Sequence, residues 1–554
     1  MSTGPPAPLS MDKLFDVAIV GYGPAGAVAA ALLGAQGLSV LVCDKTHDVY
    51  EMPRAFALDH EIMRVFQQLG VDAGVLNFAE PFTPSEFYGV DGQLIKRFST
   101  AAPPYPLAFE PSMVFSQPPV ERILRAKVQG LPTVEAALGC ELTGILHDEQ
   151  GVTLHLRQPD NSRNQARARY LVACDGATST VRNALGIGLL DLGFDQAWLV
   201  VDVLVNEVGL ARLPQTSVQY CEPQRPSTFL IGPKNHRRWE IAINEGEDPQ
   251  DLATPEGTWR LLSRWLSPQD GRLWRQASYR FHALVAQRWR VGRVFLAGDA
   301  AHQQPPFLGQ GMCQGIRDVA NLGWKLGSVL RGESPAGFLD SYETERKAHV
   351  IELTTRIKGI GELVGERDIA KARARDARLL EECGGVVKSV PRQNVQPALV
   401  NGFLSLRPHR AVGTPFPQPW VLHAGGKARL DNVTGTGWRL LMSSVAAAWA
   451  PRLPAWITPV VVVGAGDVNQ AQSLNNAVQE LDGVVSAWWS RMDAQAAIVR
   501  PDHCVYAAAN SAPMLDEDIK DLMQQFAGCG SWQLNPAAGP AATTMAALSN
   551  TVPH

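Results

Sequence analysis

Paired cysteines are missing from this 554-residue chain: its eight cysteines, at 43, 140, 174, 221, 313, 383, 504 and 529, include no CxxC. A zinc ribbon and a dithiol redox motif are thereby excluded, and no metal site is expected. Blocks of one charge are missing too. Fifty Lys and Arg face 54 Asp and Glu, for a formal net charge of −4, which gives no reason to expect nucleic acid or an anionic membrane as partner. Long apolar runs are also absent. The most apolar late stretch, Trp438 to Val463, is broken by Pro451, Arg452, Pro454 and Pro459, whereas a bilayer span needs about 20 apolar residues. No basic segment followed by an apolar core opens the chain; residues 1–14 read as a flexible lead. A cytoplasmic location is the expectation. At about 150 residues per domain, the length predicts three or four units.

What is present begins at Phe15–Val20, a short apolar run suited to a buried parallel strand. It enters Gly21-Tyr22-Gly23-Pro24-Ala25-Gly26, a GxGxxG, and a small-residue helix over Ala27–Gln36 that Gly37 is placed to cap in the left-handed conformation. A second strand, Leu38–Cys43, ends at Asp44. Gly21 permits the tight turn, Gly23 lets the backbone approach a pyrophosphate, and Gly26 lets the helix lie close to the sheet. The helix N-terminus supplies free N–H groups for phosphates, and Asp44 stands where a carboxylate accepts ribose hydroxyls. Glycine-rich turns also arise for structural reasons alone. With this strand–helix–strand context the reading is a dinucleotide site, FAD or NAD.

Two further strands end in acidic glycine turns: residues 171–182 reach Asp175-Gly176, and residues 291–302 reach Gly298-Asp299. Each alone is explained by an Asx-type turn. After Asp299 the chain runs His302-Gln303-Gln304-Pro305-Pro306-Phe307-Leu308-Gly309-Gln310-Gly311-Met312 into a helix carrying Arg317, Asp318, Asn321 and Lys325. Backbone N–H groups of Gly311 and Met312 at that helix start could stabilise negative charge on a bound ligand.

Taken in this order, the three motifs resemble the class A flavoprotein aromatic hydroxylases, the para-hydroxybenzoate and phenol hydroxylase superfamily, over about residues 15–360. The resemblance implies an α/β fold: a Rossmann-like FAD-binding domain (15–188 and 283–385), an inserted β-sheet substrate domain (189–282), a connector (386–420), a thioredoxin-like domain (421–545) and a tail (546–554). It implies that Gly21, Gly23, Pro24, Ala25, Gly26, Asp44 and Lys45 hold the adenosine diphosphate part of FAD. Asp299 would bond the ribityl chain, and Asp175 would lie near the pyrophosphate and the path of the nicotinamide. Arg54 and Gln117 match FAD-contacting positions, and Pro306, Gly309, Gly311 and Met312 line the flavin loop. No second GxGxxG in a strand–helix–strand context occurs, so NADH or NADPH is expected to visit transiently, with O2 as co-substrate. A flavin halogenase is disfavoured, because no Trp-x-Trp-x-Ile-Pro segment occurs.

Within that superfamily the segment Arg54-Ala55-Phe56-Ala57-Leu58-Asp59-His60-Glu61, the Pro-Pro-Phe-Leu-Gly-Gln-Gly-Met loop and Arg238-Trp239-Glu240 resemble the 3-(3-hydroxyphenyl)propionate and 3-hydroxycinnamate hydroxylases. The implied reaction is ortho-hydroxylation of a small phenolic acid through a C4a-hydroperoxyflavin. Resorcinol and polyketide hydroxylases share most of the scaffold, and a non-oxygenating FAD oxidoreductase is the other alternative. For the proton relay that a phenol needs, His60 is one candidate; a surface or helix-capping histidine is the other reading. Arg237 and Arg238 could meet a substrate carboxylate or nicotinamide phosphates, or could be solvated arginines on an exposed strand. Apolar residues at helical spacing from Ser341 to Glu382 predict long amphipathic helices. The thioredoxin-like domain, lacking CxxC, is expected to serve packing or homodimer formation.

Overall fold

The computed structural model describes residues 13–423, 425–449, 451–466 and 476–527. The expected lead at 1–14 (but for its last two residues) and the tail at 546–554 lie outside the described residues.

An eight-stranded sheet forms the first layer. Its main path runs Arg290–Val291, Val294–Leu296, Arg163–Ala173, Leu14–Val20, Val40–Asp44 and Val134–Leu138. The four junctions from Val294–Leu296 to Val134–Leu138 are all parallel. Parallel strands need both faces covered, so the central ones are apolar. Val17, Ala18, Ile19, Val40, Leu41 and Leu171 accordingly expose no surface. Helices Pro24–Ala35 and Gly311–Leu330 pack on one another as part of that cover.

A nine-stranded sheet forms the second layer, in the order His302–Gln303, Gly271–Ala286, Leu189–Val205, His236–Ala242, Ser227–Ile231, Ser217–Tyr220, Ser85–Tyr88, Leu94–Ser99 and Ser389–Pro391. It therefore reaches beyond residues 189–282. Two strands come from the stretch before Asp175, one, His302–Gln303, from behind the Gly298-Asp299 turn, and one from the connector.

Two long helices follow, Asp340–Gly365 and Ile369–Glu382, where the periodicity predicts them. The C-terminal unit is a seven-stranded sheet ordered Gly426–Arg429, Trp420–His423, Ala477–Glu480, Thr458–Val463, Arg439–Ser443, Ala496–Val499 and Val505–Ala509. It is locked to the rest of the chain. Trp324 and Phe338 of the first unit share one apolar core with Phe403, Trp438 and Tyr506. Two buried ionic clusters reinforce that seam. In one, Arg64 Nε meets Asp431 at 2.6 Å and Arg439 meets the same carboxylate at 2.5 Å. In the other, Glu345 accepts from Arg500 at 2.6 Å and from Lys325 at 2.9 Å.

Candidate cofactor and active site

The three glycine–acid motifs converge on one place. Gly21 has φ +96°, and a Cβ there would stand 2.3 Å from the carbonyl oxygen of Cys174, the residue before Asp175. Its glycine is required by the neighbouring strand end as well as by the turn. A Cβ on Gly26 would lie 2.0 Å from the Gly21 carbonyl oxygen, so these two glycines interlock. Gly23 differs: no atom lies within 4 Å of its would-be Cβ. It precedes Pro24 and Ala25, where the first helix begins without a side-chain cap.

Gly298, at φ +60°, fits between two helix starts. A Cβ on it would stand 3.6 Å from both Ala25 Cβ and Gly315 Cα. The second of those helices begins at Gly311, likewise without a side-chain cap and with open space at its would-be Cβ. Two helix N-termini thus open on either side of Asp299, each with unpaired first-turn N–H groups and a partial positive charge. Before Gly311 the loop folds back: Gly309 N–H donates to Pro306 at 2.6 Å. A Cβ on Gly309 (φ +62°) would press on Ala57 at 2.8 Å. Met312 packs half-buried against the core.

The acids around this opening hold distinct positions. Asp44 accepts the Tyr22 N–H at 2.6 Å with one oxygen and the Thr46 N–H and hydroxyl at 2.7 Å with the other. Lys45 beside it is exposed. Asp175 accepts the Val181 N–H at 3.1 Å through one oxygen, while its other oxygen is buried without a partner. Burial pushes its carboxyl above the usual range. Asp299 has exposed surface, yet surrounding protein desolvates it enough to raise its pKa against the nearby charges of His302 and Arg54. A group both enclosed and exposed faces an interior opening. Arg54 is exposed at that opening, and Gln117 fixes it: Gln117 Oε1 accepts the N–H groups of Arg54 and Ala55 at 3.2 and 2.6 Å.

Asp318 and Arg182 hold the loops in place. Asp318, fully buried, accepts from the Gly298 N–H at 3.0 Å, His302 Nε2 at 2.7 Å and Arg346 Nε at 2.9 Å. Arg182 donates to Ala300 at 3.0 Å and to Ala177 at 2.8 Å, tying the Asp175 loop to the Asp299 loop. An acid about two turns into the helix behind a Gly-Asp turn was the available signal for the first.

Arg238 corrects its expectation on both sides. It is not solvated, being 4% exposed, and it is not free for a ligand. Its guanidinium bonds Asp202 at 2.7 and 3.0 Å, and the carbonyls of Arg54 and Pro53 at 2.9 and 3.1 Å. Arg275 adds a 2.6 Å bond to the Pro53 carbonyl. These arginines clamp the segment that presents Arg54. His60 is neither a surface residue nor the cap. Asp59 caps the helix His60–Gln68, accepting from the N–H groups of Glu61 and Ile62. His60 is buried with Nδ1 unpartnered, and burial holds its pKa below the ordinary imidazole value against the charges of Asp59 and Glu61. It lines a cavity of about 450 Å³ that lies beside the flavin-loop residues Leu308 and Gln310 and extends toward the C-terminal unit, away from Gly23 and Asp175.

Open space at Gly23 and Gly311, the orphaned oxygen of Asp175 and the inward-facing Asp299 fit an elongated dinucleotide with a charge-accepting ring at one end. Fold and site together define a flavoprotein monooxygenase scaffold. A family model described as the FAD binding domain matches residues 15–357, and one described as the HcaD C-terminal domain matches 413–525. The chain belongs to the class A FAD-dependent aromatic hydroxylases. It is 34% identical over 536 residues to a probable NADH-specific resorcinol 4-hydroxylase of Rhodococcus jostii (strain RHA1), covering 95% of this chain and 98% of the relative. It is 32% identical over 519 residues to a 3-(3-hydroxy-phenyl)propionate/3-hydroxycinnamic acid hydroxylase of Burkholderia cenocepacia (strain HI2424), covering 90% and 94%. Among solved structures, aklavinone-11 hydroxylase with FAD and aklavinone superposes with a TM-score of 0.73 at 25% identity, covering 93% of this chain and all of that one. The flavin-dependent monooxygenase PieE gives the same TM-score at 21% identity, covering 93% and 99%. Among the described residues no helix is long and apolar enough to cross a membrane.

Proposed function

We propose that this enzyme uses NADH and O2 to hydroxylate a small phenolic acid ortho to its hydroxyl, with 3-(3-hydroxyphenyl)propionate or 3-hydroxycinnamate as substrate. The observation that carries this reading is near-full-length similarity to hydroxylases of those two acids. NADH rather than NADPH is supported by the relative described as NADH-specific. That same relative favours a second reading, in which the ring is resorcinol.

The residues divide the work. Asp44 would hold the adenosine ribose, Gly21–Gly26 and the helix start behind them the pyrophosphate with Asp175 nearby, and Arg54, Asp299, Gly311 and Met312 the ribityl and ring end. FAD, when bound, supplies the electron transfer to O2 and the oxygen transfer to the ring. The protein must orient the phenol and keep water out. Phe307, 8% exposed, packs edge-on against Phe194, Trp198 and Phe281 at centroid distances of 5.5–6.3 Å, closing the sheet onto the loop. His60, with its Nδ1 unpartnered beside the cavity, is the candidate to accept a phenolic proton.

The test is a panel of phenols assayed with NADH and NADPH, scoring catechol product by chromatography against reductant consumed. Stoichiometric 2,3-dihydroxy product from 3-(3-hydroxyphenyl)propionate is expected. Coupled product from resorcinol alone would replace the first reading with the second.

A further inference from the structure

Arg392 stands just past the edge of the nine-stranded sheet. Ser389–Pro391 pairs in parallel with Arg97–Ser99, and the chain then turns through the 3-10 segment Arg392–Val395. Gln393 pins that turn, donating to the Ser112 hydroxyl at 2.9 Å and accepting the Ala101 N–H at 3.3 Å. The Arg392 guanidinium lies 4.0 Å from the Phe82 ring centroid and donates one bond, at 2.9 Å, to the carbonyl of Leu308 in the flavin loop. Among the described residues it makes no ion pair. The negative groups whose charge reaches it are the Cys313 thiol and Asp59, and Asp59 is engaged by Arg317 at 2.6 Å. Desolvation by the surrounding protein outweighs the Cys313 and Asp59 charges and pushes the Arg392 pKa down to about 10.

Arg392 is partly buried, and a guanidinium that lines a cavity with donors the protein leaves unused is suited to meet an anion there. Arg392 lines the 450 Å³ cavity together with Leu308, Ser112, His60 and Leu353. The space in front of it is therefore large enough for a substituted benzene ring and borders the loop where the ring must react. Its planar fork matches the two oxygens of a carboxylate. We propose that Arg392 receives an anionic oxygen of the aromatic substrate and so sets which phenols this enzyme accepts. The inference rests on the phenol-hydroxylase reading above and adds the group that recognises the substrate's charge. That charge has two sources, a side-chain carboxylate or the phenolate itself.

The test titrates FAD-loaded enzyme, without reductant, and follows the flavin absorbance change. The ligands are 3-(3-hydroxyphenyl)propionate and 3-ethylphenol, which lacks the carboxylate; the proteins are wild type, Arg392→Gln and Arg392→Lys. For a carboxylate contact, Arg392→Gln raises the Kd of the acid by about tenfold or more, Arg392→Lys restores part of it, and 3-ethylphenol changes less than about twofold. Equal losses for both ligands that Arg392→Lys restores assign the contact to the phenolate oxygen. Unchanged Kd values in Arg392→Gln, or equal losses that lysine does not restore, overturn the proposal and leave Arg392 as a prop for Leu308. If Arg392→Gln fails to hold FAD, Arg392→Lys carries the comparison: it must weaken the acid more than 3-ethylphenol, and equal weakening overturns the proposal. Wild-type enzyme that binds neither ligand sinks the substrate assignment itself. The variants are then scored on whichever phenol drives coupled NADH oxidation, by the same lysine-restoration criterion.

Discussion

Asp202 is the single acid in the apolar run Leu199–Val205, and it exposes no surface. Burial pushes its carboxyl up, but Arg238 and His236 outweigh that and hold it below the usual carboxylate range. Removing one partner of such a cluster leaves the others as uncompensated buried charge, at a cost of about 3–5 kcal/mol. Asp202→Asn should therefore lose about that much stability in urea unfolding, and should weaken FAD binding, read by flavin fluorescence, because the clamp on Pro53 and Arg54 loosens. A loss under about 1 kcal/mol would show that the clamp is held by other contacts. The role of Arg238 was not legible from its own neighbourhood. Its partner lies 36 positions earlier, directly opposite it in the antiparallel register between Leu189–Val205 and His236–Ala242. The signal was on the other strand: an acid alone among valines and leucines must meet a cation when that strand is buried.

At the scale of elements, the opening strand–turn–helix was readable because each glycine acts locally, yet glycines of one motif serve different ends. Gly21→Ala places a Cβ into the Cys174 carbonyl at an unfavourable φ, so it should lower the melting temperature of the FAD-free protein, at a cost of about 1–3 kcal/mol. Gly23→Ala meets nothing within 4 Å in an extended backbone. It should leave that melting temperature unchanged or slightly higher, since such exchanges restrict the unfolded chain by about 0.4–1 kcal/mol, while raising the FAD dissociation constant at least several-fold. Equal melting losses in both variants would contradict this division. What local pattern did not carry was the bracing of one motif by another. Asp318 and Arg182 join Gly298, Ala300 and Ala177 across gaps of 20, 118 and 5 positions, and only the assembled layers bring the two longer-range sets together.

Across the whole molecule, Glu345 joins the C-terminal unit to the flavin layers. Burial raises its carboxyl, but Arg500 and Lys325 prevail and hold it at about 2, against an ordinary value of 4.5. A carboxylate depressed on folding contributes stability that is complete above pH about 4.5 and drains away as pH falls toward about 2, here roughly 3 kcal/mol. Acid titration followed by tryptophan fluorescence should report this seam, where Trp324 packs 5.7 Å from Trp438. Glu345→Gln should unfold more readily at neutral pH and show a shallower loss between pH about 5 and 2; an unchanged profile would place the acid sensitivity elsewhere. The nine-stranded sheet has a different consequence, for recombination between relatives. Its order places Ser217–Tyr220 beside Ser85–Tyr88, and Leu94–Ser99 beside Ser389–Pro391. A graft that swapped residues 189–282 alone would set foreign side chains against the native strand Ser85–Tyr88 and break matched pairings at that border. Exchange of substrate range should therefore succeed when residues 79–115 and 386–396 travel with the insertion. The unit of inheritance for specificity in this chain is a discontinuous one, scattered along the gene yet contiguous across the sheet.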